Sequence, residues 1–299
     1  EGAASALALR AVEQLRKLDP SPLATRRLAA FIEPANYRDD VARLAGCDLV
    51  IEAIGERLDW KRELYARIAP HVAPGAVLAS NTSGLSLAAL SAALPPALRA
   101  NFCGVHFFNP PRYMHLVELI ATDVSDAGML DALETFLTTA LGKGVVRAKD
   151  TPNFIANRIG IFSVLATMRH ADALSLGYDV VDALTGPLIG HAKSATYRTA
   201  DVVGLDTMAH VIKTMADTLP NDPWHRHFQA PAWLSALIDK GALGQKTGAG
   251  IYTKRGKDIV VLDLAKQDYV PSAAKPSDEV AAILAIRNPA EKFGKLRAS

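Results

Sequence analysis

An open α/β sheet followed by an all-α domain is the fold class that this sequence predicts, and three observations carry the prediction. Between residues 48 and 148, short apolar runs of strand length alternate with longer amphipathic segments, the order of an α/β layer fold. From Asp150 to about Lys240 those runs give way to helical periodicity. With 299 residues, 49% of them apolar, each part is large enough to bury its own core. A formal net charge of +2 gives no argument for nucleic acid or a membrane surface. Every long apolar run is broken by Arg, Asp, Glu or Lys, so none reaches the length that crosses a bilayer. Cys47 and Cys103 sit inside apolar segments and read as small hydrophobes in a reducing compartment rather than as a disulfide.

Residues 4–18 have helical spacing, with Leu7, Val12, Leu15 and Leu18 facing inward and Arg10, Glu13, Arg16 and Lys17 outward. Pro20 and Pro22 end that helix. Residues 48–54, DLVIEAI, are apolar enough for a strand covered on both faces. A helix over 56–72 stops before Pro74-Gly75; a buried strand over 76–80, a short helix over 86–93 and a strand over 102–108 follow. A strand over 116–120, a helix over 125–141 closed by Gly142 and a last strand over 145–148 complete the sheet. Asp150-Thr151-Pro152 reads as a helix start, with a capping carboxylate and an early proline. Ile155, Ile159, Phe162 and Ala166 make one apolar stripe in the helical part, and Val202, Leu205 and Ala209 another. After Tyr252 the pattern weakens to a strand over 258–264, a helix over 277–286 and an exposed end.

The chemistry concentrates in residues 101–120, NFCGVHFFNPPRYMHLVELI. His106 and Glu118 lie equally far from Arg112, the middle of a Pro-Pro turn, so an antiparallel return sets them opposite each other. An imidazole held by a carboxylate has a fixed tautomer and can act as a general base. The same spacing equally suits a satisfied core histidine and a surface carboxylate on an edge strand. Ser80-Asn81-Thr82-Ser83-Gly84 follows a buried strand directly, where open α/β sheets bind ligands. Its hydroxyls and amide suit a bound oxygen, or an ordinary polar loop. Ile54-Gly55-Glu56 occupies the equivalent place after the previous strand, with Lys61 in the next helix. Asn157 is a poor interior helix former set well inside its helix, which points to a side-chain task, a ligand or a tie between domains. The glycine pairs Gly142/Gly144 and Gly248/Gly250 do not stand between a strand and a helix, and read as turns. His225 and His227 have no Cys or carboxylate partners at metal spacing, so no metal is expected.

Taken together, SNTSGL at 80–85, HFFNP at 106–110, Glu118, DTPNFIANR at 150–158, DVVGLDT at 201–207 and GQKTGAGIY at 244–252 resemble the L-3-hydroxyacyl-CoA dehydrogenase family, in that family's order. The resemblance implies a Rossmann-like doubly wound sheet with a helical C-terminal domain, NAD as cofactor, and oxidation of an L-3-hydroxyacyl-CoA to the 3-ketoacyl-CoA. It implies His106 as the base for the 3-hydroxyl proton and Glu118 as its orienting carboxylate. Ser83 and Asn157 would bond the reacting oxygen or the thioester region, and Glu56, Lys61, Ser83 and Lys246 would contact the cofactor. CoA would lie near Arg10, Arg16 and Lys17, residues that otherwise read as a solvated helix face. The family's opening strand, GxGxxG turn and acidic ribose residue have no counterpart here. They are expected to precede Glu1, and without them the sheet lacks a central strand and NAD should bind poorly. The expected division is 1–149, an incomplete NAD-binding domain; 150–255, a helical dehydrogenase domain; and 256–299, a connector like that of fused fatty-acid-oxidation proteins. A cytoplasmic homodimer joined through the helical domain completes the picture. A non-CoA hydroxy acid as substrate, or a non-catalytic fragment, are the alternatives.

Overall fold

A computed structural model describes residues 4–19, 21–272 and 275–298, so Pro20, read above as a break, lies outside them. The chain divides into two compact units, one through Ile155 and one from Ala156. The first opens with α1 (Ala6–Leu15), none of whose residues is buried. Leu7 is 78% exposed and Leu18 53%, while Val12 and Leu15 are half-buried, so the side expected to face inward is only partly covered.

Among the described residues the first unit holds one sheet of β1 (Leu49–Glu52), β2 (Val77–Ser80), β3 (Phe102–Phe107), β4 (Leu116–Ile120) and β5 (Gly144–Ala148), side by side in chain order. β1, β2 and β3 are parallel, β4 is antiparallel to β3, and β5 is parallel to β4. The connections carry α2 (Leu58–Ile68), α3 (Leu87–Ser91), α4 (Pro96–Arg99) and α5 (Ala127–Thr139). Successive strand residues point to opposite faces. Leu78, Phe102 and Ile120 accordingly pack with Tyr65 of α2 and Leu90 of α3, while Ala79, Cys103 and Leu119 pack with Leu130 and Leu137 of α5. Each such buried Leu or Phe contributes about 1.5–3 kcal/mol. Helices thus cover both faces, which is the doubly wound arrangement expected. Cys47 and Cys103 are both free, and burial pushes the Cys103 thiol up to about 12, so it packs as a hydrophobe.

Residues 150–155 do not form the helical turn that their cap-and-proline pattern predicts. The Asp150 carboxylate accepts the N–H groups of Leu87 (2.9 Å) and Ala88 (2.8 Å) and the Ser86 hydroxyl (3.1 Å), and so caps α3 instead. Asn153 and Phe154 then adopt φ values of 60° and 50°. Left-handed backbone cannot continue a right-handed helix, so α6 (Ala156–Ala173) begins only after them. Asn157 therefore lies in the first turn of α6, not deep inside it.

The second unit continues with α7 (Tyr178–Leu184), α8 (Tyr197–Val203), α9 (Leu205–Thr218) and α10 (Ala232–Asp239) around Met168, Tyr197, Leu205, Ile212 and Leu234. The stripe expected along Val202, Leu205 and Ala209 does not form. Gly204, at φ 99°, parts α8 from α9 and leaves Val202 60% exposed while Leu205 is fully buried. The weak pattern after Tyr252 becomes an antiparallel sheet of β6 (Tyr252–Arg255), β7 (Asp258–Asp263) and β8 (Asp268–Pro271), followed by α11 (Asp278–Leu284) and α12 (Pro289–Ala298). Val261 of β7 joins the helical core, so the segment expected as a connector contributes to the packing of this unit.

Asp201 of α8 joins two distant segments. Its carboxylate is buried and accepts the N–H groups of Ile251 (2.9 Å) and Tyr252 (2.8 Å). Gly244, at φ 95°, and Gly250 approach so closely that a methyl group on either would collide with Asp201. Two of the sequence motifs, DVVGLDT and GQKTGAGIY, are therefore halves of one joint. Gly250→Ala is expected to lower stability by about 1–3 kcal/mol in urea unfolding. Gly75→Ala, where a methyl group meets open space, is expected to stay within about 0.5 kcal/mol. Burial raises the Asp201 carboxyl, against the pull of its two N–H donors. The folded state thus keeps this proton to a higher pH than the unfolded chain, and the resulting stability is full in acid and lost as pH rises through the raised value. Asp201→Asn is expected to remove that component from the pH dependence of the urea midpoint.

Candidate active site

β3 and β4 pair in the register Gly104–Ile120, Val105–Leu119, His106–Glu118 and Phe107–Val117. His106 and Glu118 are thus direct cross-strand neighbours, and Nδ1 lies 2.7 Å from Glu118 Oε2. An ionised carboxylate only accepts, so the imidazole carries its proton on Nδ1 and offers the Nε2 lone pair. The other carboxylate oxygen accepts the N–H of Ile155 at 2.9 Å, which the left-handed turn at Asn153 and Phe154 delivers. His106 is 4% exposed and Glu118 1%. The imidazole is flanked by Phe108 (ring centroids 4.6 Å) and Phe154 (5.6 Å), which restrict its rotation. Phe154 holds a bulky side chain at positive φ, a strain of about 1–3 kcal/mol of the kind found at functional sites.

Because β1, β2 and β3 are parallel, their carboxyl ends and following loops share one edge of the sheet. Those loops are organised by a carboxylate that sequence reasoning passed over. Glu52, the last residue of β1, is 4% exposed and binds Lys61 Nζ through both oxygens (2.7 and 2.8 Å). It also accepts the Ile54 N–H (2.7 Å), the Ser80 hydroxyl (2.8 Å) and the Tyr65 hydroxyl (3.1 Å). Burial and the Glu52 charge push the Tyr65 phenol up, which keeps it a donor. Lys61, expected as a cofactor contact, is wholly buried with its ammonium on Glu52. The signal available was a single Glu inside an apolar run with a Lys one turn into the next helix, since a buried charge requires a partner.

Glu56 Oε1 accepts the Thr82 hydroxyl (2.6 Å) and the N–H groups of Ser83 and Gly84 (2.9 Å each), while its other oxygen is 4.0 Å from Lys61 Nζ. This fixes the loop that carries Ser83, whose hydroxyl has no partner among the described residues. In the second unit, Asn157 sits in the first turn of α6, and Lys246 is half-exposed and paired with Asp206 at 2.6 Å. Arg16, just past α1, pairs with Glu13 at 2.9 Å, and Arg10 of α1 and Lys17 beyond it are exposed. His227 lies between Arg169 (2.9 Å) and Arg226 (3.1 Å). Among the described residues no cluster of His, Cys, Asp and Glu could hold a metal ion. No helix among them is long and apolar enough to cross a membrane.

Comparison with known proteins agrees with the resemblance read from the motifs. The description "3-hydroxyacyl-CoA dehydrogenase, NAD binding domain" matches residues 3–151, and "3-hydroxyacyl-CoA dehydrogenase, C-terminal domain" matches residues 154–254. A probable 3-hydroxyacyl-CoA dehydrogenase of Bacillus subtilis is 42% identical over 267 residues, which are 89% of this chain and 34% of that protein. The chain therefore spans about a third of that relative's length. A probable 3-hydroxyacyl-CoA dehydrogenase of Deinococcus radiodurans is 39% identical over 83% of this chain and 71% of its own length. The crystal structure of M. tuberculosis FadB2 superposes with a TM-score of 0.71 at 32% identity, covering 84% of this chain and 87% of that one.

The buried ion pair gives a direct test of how the loops are held. Glu52→Ala strands the Lys61 ammonium in the core and is expected to cost about 3–5 kcal/mol in guanidinium unfolding. The double variant Glu52→Leu/Lys61→Met removes the stranded charge and is expected to recover only part of that loss, because the Ile54 N–H and the Ser80 and Tyr65 hydroxyls still lose their acceptor.

Proposed function

Because this chain belongs to the 3-hydroxyacyl-CoA dehydrogenase family, and its first unit is that family's NAD-binding domain, we propose that it oxidises the 3-hydroxyl of an L-3-hydroxyacyl-CoA to the 3-ketone with NAD as cofactor. The observation that supports this reading above all is the buried His106–Glu118 pair with its lone pair on Nε2. In this mechanism Nε2 takes the hydroxyl proton, and Glu118, already bonded to Nδ1, stabilises the imidazolium that forms. NAD, when bound, supplies the acceptor for the hydride that leaves the same carbon. An unpartnered Ser83 hydroxyl and the Glu56 carboxylate, on loops that follow parallel strands, fit the nicotinamide end of such a cofactor. Ser83 positions the reacting oxygen, and Lys61 acts on the same loops through Glu52 and Glu56. Asn157 and Lys246 keep the ligand contacts that the resemblance gives them. A cytoplasmic homodimer belongs to the same reading, supported by the free thiols and by exposed Ile159, Val202 and Val203; cell fractionation and sedimentation equilibrium test these two points.

His106→Gln is expected to lower kcat by about a hundredfold to ten-thousandfold, measured by NADH formation. Calorimetric affinity for the acyl-CoA should change by less than about threefold, since only proton transfer is removed. Full turnover in that variant would take His106 out of the mechanism.

A further inference from the structure

We propose that the side-chain amide of Asn81 is a cofactor-binding donor, directed at the carboxamide oxygen of the nicotinamide ring. This rests on the reading above, in which the first unit binds NAD. Asn81 follows β2 directly, at the carboxyl edge of the parallel strands. Its backbone N–H donates to the Glu52 carbonyl at 2.8 Å and extends the β1–β2 ladder by one residue. Its side chain does the same toward β3, where Oδ1 accepts the N–H of Phe107 at 2.9 Å, immediately after His106. That bond settles which way the amide points, because a rotated amide would set its NH₂ against another N–H. Nδ2 is therefore turned away from the strand that its own oxygen grips. Among the described residues it has no partner.

The result is a neutral donor of fixed direction, one strand away from the imidazole, on the edge where open α/β sheets hold nucleotides. Its support is rigid, since the backbone it hangs from is tied to Glu52, whose carboxylate is buried and fully bonded. Fixed donors of this kind contribute to binding without a reorganisation cost. The occupant that matches is a carbonyl oxygen. The cofactor is favoured over the thioester because Asn81 extends the ladder of parallel β1 and β2 at their carboxyl ends, the position where open α/β sheets hold nucleotides.

The test compares calorimetric binding of NADH with that of reduced thionicotinamide adenine dinucleotide, in which a weakly accepting sulfur replaces the carboxamide oxygen. Asn81→Asp keeps an acceptor for the Phe107 N–H and removes the NH₂; Asn81→Ser removes it without adding charge. Both variants are expected to bind NADH about tenfold more weakly and the sulfur analogue less than about threefold more weakly, in line with one lost buried hydrogen bond. The KM for acyl-CoA should stay within about twofold. Equal losses for the two dinucleotides, or unchanged NADH affinity in both variants, would overturn the assignment while leaving the proposed reaction intact. Failure of the unmodified protein to bind NADH would instead remove the reading on which the assignment rests.

Discussion

In the antiparallel pair of β3 and β4, Val105 faces Leu119 and Phe107 faces Val117, and that register alone sets His106 against Glu118. The register is enforced by burial. Val105, Val117 and Leu119 are at most 1% exposed and sit on one face with Leu133 and Leu137, so a slip by one residue would turn that apolar set the other way. The imidazole–carboxylate geometry is thus a by-product of core packing, held by many weak contacts rather than by the pair's own attraction. This suits a base, whose tautomer must be fixed before any substrate arrives.

The loops beside it are held by a different device. Glu52 collects donors from its own turn, from α2 and from β2, and Glu56 collects them from residues 82–84. A buried carboxylate left unbonded is very costly, whereas one that is fully bonded fixes the positions of everything that bonds it. Ser83 and Asn81 therefore hang from a frame with little freedom, and the edge of the sheet is arranged in advance of ligand binding.

The alternation of strands and helices from β1 to β5 was legible in the sequence because each strand is an apolar run closed by a turn signal. The His106–Glu118 pairing was legible because both residues are equidistant from a proline turn. What stayed hidden depended on distant partners. Asp150 looked like the cap of the helix that follows it but caps α3 instead, some sixty residues earlier in the chain. Glu52 was submerged in the hydrophobicity of its strand, although its charge and the later Lys61 formed a readable pair. Gly204 interrupted an apolar periodicity that runs across it, and only its positive φ separates the two helices. The hairpins after Tyr252 carry little periodicity because β6 and β8 have only half-buried or exposed residues.

Asp201 has a consequence for how the second unit is made. Its partners Ile251 and Tyr252 follow it by 50 and 51 positions, and Gly250 must come to rest beneath its carboxylate. Until residues 250–252 are in place the Asp201 carboxylate has only water to bond, and its burial depends on their arrival. The joint is thus a contact of long sequence separation, one whose chain-closure cost has to be met before its two hydrogen bonds repay it, and it ties the helices from α8 onward to the hairpin of β6 and β7.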